Sequence, residues 1–128
     1  MRIRLQNGLP IVAATLSYRG RQLVIEKALL DTGSAGTVFS ADRVSAINML
    51  MEPQDRIRRI RGVGGAEFVF SKQVDALALG ALTVADFEIE IGAMDYGFDI
   101  QGIVGMDFLI QTGAVIDLAQ LELFAPRP

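Results

Sequence analysis

Apolar residues recur at every second position through much of this chain, and short polar or glycine-containing stretches interrupt them, as in strands joined by turns. Over residues 11–18, Val12, Ala14, Leu16 and Tyr18 share one face. Over residues 22–30, Leu23 and Ile25 alternate with Val24 and Glu26, and Arg19-Gly20-Arg21 between the two segments predicts a hairpin. The second arm runs directly into Leu29-Leu30-Asp31-Thr32-Gly33-Ser34, so a strand delivers Asp31 to a glycine-containing loop. Val44, Ile47 and Leu50 fall at helical spacing and predict a short helix over 41–50, with Ser40 as N-cap, Asp42 in the first turn and Glu52-Pro53 as its end. Residues 56–72 read as two extended arms around Gly62-Val63-Gly64-Gly65. A second hairpin, 74–79 and 82–91, is joined by Gly80-Ala81. After the loop 94–99, residues 100–104 enter Gly105, and 106–111 form a helical turn that Gly113 closes. Segments 114–117 and 121–124 are two last short strands. The pattern predicts an all-β chain, mainly strand with one or two short helices. With no linker or low-complexity run, it predicts one domain over 1–128.

Composition sharpens this picture by exclusion. At 128 residues and 51% hydrophobic, the chain can fill a sizeable core. A formal net charge of −3 offers no global attraction to nucleic acid or to an anionic membrane. No stretch approaches the roughly 18 consecutive apolar residues of a spanning helix, and the start MRIRLQNGLP has no signal-peptide apolar region, so this segment reads as soluble and without membrane contact. The chain contains neither Cys nor His, which excludes thiol nucleophiles, Ser-His and Cys-His dyads, and zinc sites built on those ligands. Carboxylate, hydroxyl, Lys and Arg chemistry remains, and no metal or cofactor is expected. A disulfide-free fold fits the cytosol and the periplasm alike, so the compartment stays open.

Three features, in order and at matching spacing, resemble the retropepsin-like aspartic proteases: Ala28-Leu29-Leu30-Asp31-Thr32-Gly33-Ser34, Arg61-Gly62-Val63-Gly64-Gly65 and Ile103-Val104-Gly105. The resemblance spans residues 11–123. Residues 40–50 and Gly105-Met106-Asp107-Phe108-Leu109 are more similar to bacterial members than to viral ones. It implies a closed, barrel-like fold with one lobe per chain and an aspartic endopeptidase activity on an extended peptide or protein substrate. It implies that Asp31 is the catalytic carboxylate, supported by Thr32, Gly33 and Ser34. Gly62, Val63, Gly64 and Gly65 would be a substrate-binding flap, and Ile103, Val104 and Gly105 the packing under the site. Peptide hydrolysis without a metal or a covalent intermediate needs two carboxyl groups sharing a proton, and the chain has a single Asp-Thr-Gly. The second carboxyl is therefore expected from another copy in a homodimer.

Plainer readings stand beside these. Asp, Thr, Gly and Ser are ordinary loop formers, and Asp31 is a turn residue on that reading. Asp107 reads as a structural residue at a helix start, and Asp95 and Asp99, flanking Gly97, as a solvated loop. Arg56, Arg58, Arg59 and Arg61 read as a solubilising run on an exposed hairpin rather than as a site for acidic side chains. Arg2, Arg4 and the strand 121–124 are candidates for a terminal dimer sheet, although these ends depart from the viral pattern. The alternative function is a catalytically inactive peptide-binding or dimerisation module of the same fold. A processing protease within a larger membrane-bound precursor, with this chain as its catalytic domain, is a third reading.

Overall fold

A computed structural model describes residues 1–62, 65–95 and 99–126 of the chain. The first hairpin forms as expected from β2 (Leu9–Tyr18) and β3 (Arg21–Leu30). Arg19 and Gly20, at φ 48° and 82°, form the two-residue turn whose twist suits adjoining strands. An earlier strand, β1 (Arg4–Gln6), folds back on β2 through Asn7 and Gly8, at φ 52° and 78°. That Asn-Gly signal is legible in the sequence but lies outside the elements predicted above.

The β2–β3 ladder shifts register between Val12 and Ala14, so Glu26 and Lys27 together face the single residue Ala13. The bulge changes which face is buried. Ile25, Ala28 and Leu30 point into the main core, whereas a regular strand would have aligned Ile25 with Lys27 and Leu29.

Six strands close into a ring in the order β2, β3, β8 (Gly102–Val104), β4 (Val38–Ser40), β7 (Leu82–Gly92) and β6 (Gly65–Leu79), with β6 returning to β2. Closure works because the edge of β2 is divided. Its first part takes β1, and Thr15–Ser17 take Ala76–Ala78 of β6. β5 (Ile57–Gly62) extends the ring beyond β6. The chain is thus all-β, as the pattern predicts, and barrel-like, as the resemblance implies. The separate arms expected over 65–72 and 74–79 are one continuous strand.

The helix expected over 41–50 is shorter. α1 (Ala41–Val44) tightens into a 3₁₀ turn, Ser45–Ile47, and Asn48 at φ 61° ends it. Asn48 N–H donates to Ser45 O (3.0 Å) and Met49 N–H to Val44 O (3.2 Å), a left-handed cap that reverses the chain. Met49 is consequently buried and Leu50 is 51% exposed, opposite to the helical spacing. Ser40 occupies the N-cap position without a side-chain capping bond. Its N–H is held in β4 by Gln101 O instead (2.9 Å).

The end of the chain follows expectation, with α2 (Met106–Thr112) closed by Gly113 at φ 65° and followed by β9 (Val115–Asp117) and β10 (Glu122–Phe124). β10 also bonds residues 1–3: Leu123 N–H donates to Met1 O and Ile3 N–H to Leu121 O, both 2.8 Å. The termini considered for a dimer sheet therefore pair within one chain.

Two apolar clusters result. The larger fills the ring with Leu16, Phe39, Leu77, Ile89, Val104 and Phe108 among others. A smaller one joins Ile11, Leu29, Val38, Val69, Met94 and Ile100, with Ile60 and Ile103 packed against it. A charge cluster ties the segment leading into β5 to the barrel. Lys72, its side chain 4% exposed, meets Asp55 at 2.8 Å and also pairs with Glu52, which takes Arg19 at 2.9 Å. Burial pulls the Lys72 ammonium down, but the hydrogen bonds to Asp55 and Glu52 outweigh it and leave its pKa raised. Arg19 and Lys72 hold the Glu52 carboxyl down from the ordinary 4.5 to about 2.

Candidate active site

Leu29-Leu30-Asp31 and Ile103-Val104-Gly105 each set two apolar residues before a loop, and the likeness has a spatial meaning. β3 and β8 are parallel neighbours with Leu29 opposite Ile103 and Leu30 opposite Val104, so Asp31 and Gly105 leave the sheet side by side. Parallel strands are buried on both faces. Leu30 and Val104 point into the main core, and Leu29 and Ile103 into the smaller cluster beneath the β5–β6 hairpin. Ile103 therefore borders the hairpin side, whereas Val104 is fully buried in the barrel.

Asp31 is fixed at its backbone by an N–H bond to Val104 O (3.0 Å), and its side chain is half-buried. Gly33 N–H donates to Asp31 Oδ1 at 2.9 Å. A Cβ on Gly33 would stand 3.2 Å from the same oxygen, so a side chain there would crowd the carboxylate that the amide approaches. Ser34 N–H closes the turn on Asp31 O (3.1 Å). The Ser34 hydroxyl donates to Gly36 O (2.8 Å) and so braces the loop, rather than reaching the outer carboxylate oxygen. Thr32 is exposed and borders an apolar groove with Met106, Leu109, Ile110, Ala114 and Ile116.

A second loop locks the first from below. Met106 N–H donates to Ser34 O (2.7 Å) and Asp107 N–H to Ala35 O (3.2 Å). Gly105 lies so close that an added Cβ would be 2.2 Å from Gly36 O and 2.6 Å from Ser34 O. Its φ of −100° and ψ of −171° are open to any residue, so crowding alone demands glycine here. Thr37, 1% exposed, connects the two loops: its hydroxyl donates to Asp107 Oδ1 (2.7 Å) and accepts from Gly105 N–H (3.1 Å). Asp107 Oδ1 also accepts Phe108 N–H (2.8 Å), which gives Asp107 the structural place expected of it. The part played by Thr37 escaped the sequence reading. Its only signal is a hydroxyl beside the apolar pair Val38-Phe39 in a strand buried throughout.

The candidate flap is a hairpin in which β5 and β6 pair from Ile57 opposite Phe70 to Gly62 opposite Gly65; its tip residues Val63 and Gly64 lie outside the described residues. Ile60 and Val69 from its arms pack with Leu29 and Ile103, which places the hairpin base against the strand that carries Asp31. Arg58 is bidentate to Glu90 (2.7 and 2.8 Å) and Arg56 reaches Glu88 at 3.0 Å, so half of the arginine run fastens β5 to β7. Asp99 pairs with Lys27, and its carbonyl accepts Gln6 Nε2 (3.1 Å). It is thus a structural tie; Gly97 beside it lies outside the described residues.

The arrangement offers one partly exposed carboxylate on a rigid loop, next to an apolar strand covered by a hairpin. Among the described residues no helix is long and apolar enough to cross a membrane. No curated protein matches the chain. A family model described as aspartyl protease matches residues 14–108, from the first hairpin through Asp31 and the β5–β6 hairpin to α2. Covering most of the barrel and both loops, that match establishes that the chain belongs to the retropepsin-like aspartyl protease family.

Proposed function

We propose that two copies of this chain, each contributing residues 1–128 as one lobe, form an aspartic endopeptidase in which the two Asp31 carboxyl groups share a proton. The observation that carries the reading is the Asp31 loop. Its carboxylate is oriented by Gly33 N–H and stands at the end of a fixed strand, while Asp107, the other acidic residue of the two loops, is engaged by Thr37 and Phe108. One copy thus presents one carboxyl to substrate. Two like charges held close cannot both ionise, and aspartic proteases are the standard example of the resulting split in pKa.

In the reaction, the ionised Asp31 takes a proton from water as the oxygen attacks the scissile carbonyl carbon, and the protonated Asp31 of the partner subunit gives its proton to the carbonyl oxygen. Collapse of the tetrahedral intermediate breaks the C–N bond, with the proton passing to the leaving nitrogen. Gly33 N–H stabilises the ionised form, Thr32 lies where the two copies approach, and Ser34 keeps the loop in shape. The hairpin tip Gly62-Val63-Gly64-Gly65 closes over an extended peptide and donates backbone amides to it. Leu29 and Ile103 favour apolar residues around the scissile bond.

The test is cleavage of an unstructured protein and a peptide library, together with the stability shift caused by a hydroxyl-bearing peptide analogue of the tetrahedral intermediate. Asp31→Asn is expected to lower cleavage by at least about 10²-fold, the lower end of what a general acid–base group contributes, while the fold persists. Undiminished cleavage in Asp31→Asn defeats the assignment. Binding of the analogue by wild type without any turnover favours the inactive module.

A further inference from the structure

We infer that the cavity between the Asp31 loop and the base of the β5–β6 hairpin is a specificity subsite for a lysine or arginine side chain of the substrate, with Asp107 as the carboxylate that receives it. This rests on the endopeptidase reading above and names the class of peptide that the site takes.

Small residues make the cavity. β6 runs between β5 and β7, and the ion pairs Arg56–Glu88 and Arg58–Glu90 cross over it from one flanking strand to the other. Beneath them stands Ser71, opposite Glu90 on one side and bonded through its N–H to Arg56 O (3.0 Å) on the other, so the floor carries only a short side chain. From the facing loop Gly36 contributes none, and a Cβ there would stand 3.2 Å from Glu90 Oε1. The space left is about 290 Å³, at the lower bound of ligand pockets and enough for one long side chain. It touches the Asp31 loop at Gly36 and the hairpin arm at Arg58, so a peptide held between loop and hairpin passes its mouth.

The balance of charge decides what enters. Glu90 gives both oxygens to Arg58, and Glu88 gives Oε1 to Arg56 at 3.0 Å. Asp107 differs from both. Its Oδ1 accepts from Thr37 and Phe108, which are neutral donors, while Oδ2 has no partner and the carboxylate no cation among the described residues. Three carboxylates against two guanidiniums leave the cavity one negative charge in excess, and Asp107 carries it. Arg56 and Arg58 are 78% and 61% exposed, so water serves their remaining N–H groups, whereas Asp107 is half-buried. A carboxylate partly withdrawn from water and lacking a cation gains more from one than a solvated guanidinium gains from an anion. Lysine and arginine bring that charge on a long apolar stem, which can lie along the cavity while the head reaches Asp107 Oδ2 and Glu88 Oε2. Side chains of an extended peptide alternate in direction, so the subsite reads a fixed position, and two copies about a two-fold axis read one on each side of the scissile bond.

The experiment compares peptides that carry Lys, Met or Glu in turn at each position around the scissile bond. With wild type, Lys is expected to raise kcat/KM about tenfold over Met at one position on each side, through KM, as one charge-assisted hydrogen bond would. Added salt should shrink that advantage. Asp107→Asn keeps an oxygen for Thr37 and Phe108 but removes the charge, and is expected to bring the Lys-to-Met ratio near one. Arg56→Gln takes a cation from the rim and should raise the ratio, while Glu88→Gln should lower it; these opposite signs decide the matter if Asp107→Asn fails to fold. A folded Asp107→Asn with the wild-type ratio makes Asp107 structural alone and overturns the subsite. Wild type that cleaves Lys and Met peptides alike at every position, or that prefers Glu, overturns it too and leaves the endopeptidase intact. Wild type that cleaves no peptide overturns the endopeptidase reading and the subsite with it.

Discussion

Replacing Gly105 with alanine probes the contact on which the geometry of the Asp31 loop depends. The new methyl carbon would lie 2.2 Å from Gly36 O and 2.6 Å from Ser34 O, against the 3.4 Å at which ordinary contact begins, so the two loops must part by about 1.2 Å. They are joined by Met106 N–H to Ser34 O (2.7 Å) and Asp107 N–H to Ala35 O (3.2 Å), and an opening of that size breaks both. Two backbone bonds at about 1 kcal/mol each, with about 1–3 kcal/mol for overpacking, predict a loss of about 3–5 kcal/mol. For a chain of this length that is a fall in Tm of about 10–20 °C. Gly113→Ala is the control. It sits at φ 65°, meets only Pro126 at 3.6 Å, and should lose only about 1–2 kcal/mol to left-handed strain. Thermal denaturation of both variants, paired with binding of the tetrahedral-intermediate analogue, checks the reasoning. A fall below about 3 °C for Gly105→Ala, or a larger fall for Gly113→Ala, would refute the claim that backbone crowding selects glycine at this position.

The same loops support a prediction about Thr37. Thr37→Val keeps the shape but leaves Gly105 N–H without its acceptor, at a cost of about 1–3 kcal/mol in urea unfolding, and Thr37→Ser should recover most of it. The charge cluster at Glu52 predicts a pH dependence. Its carboxyl is depressed in the folded chain from 4.5 to about 2, so its contribution is fully present above the unfolded value and is lost as pH falls through the folded one. The stability difference between wild type and Glu52→Gln should hold constant above pH 5 and shrink toward pH 2 in denaturant titrations; a difference that vanishes already at pH 4 would contradict the ion pairs.

Alternation and turn residues made most of the barrel legible. The β2–β3 hairpin, the β5–β6 hairpin, α2 with Gly113 behind it and the two last strands all form where period and punctuation place them. The failures have local causes. Leu50 lost its place to Met49 because Asn48 adopts a left-handed conformation that helical spacing does not register. The faces of Leu29 and Ala28 depend on a bulge that exists only once β2 and β3 pair. Thr37 looked unremarkable until Gly105 and Asp107, 68 and 70 residues further along, came within bonding distance.

By itself the sequence determined most of the strands, though not β1 or β4, that one of them delivers Asp31 to a loop, and that a chain without cysteine or histidine is left with carboxylate, hydroxyl, Lys and Arg chemistry. These are properties of neighbouring residues, set by backbone sterics and by burial on one face. The tertiary structure alone decided that Asp31 and Gly105 emerge together from parallel strands, that Val104 belongs to the core and Ile103 to the hairpin side, and that the termini pair with one another. The physical reason is that a strand carries its periodicity with it, but its partner, its register and the side to which its hydrogen bonds point are fixed only by segments distant in sequence.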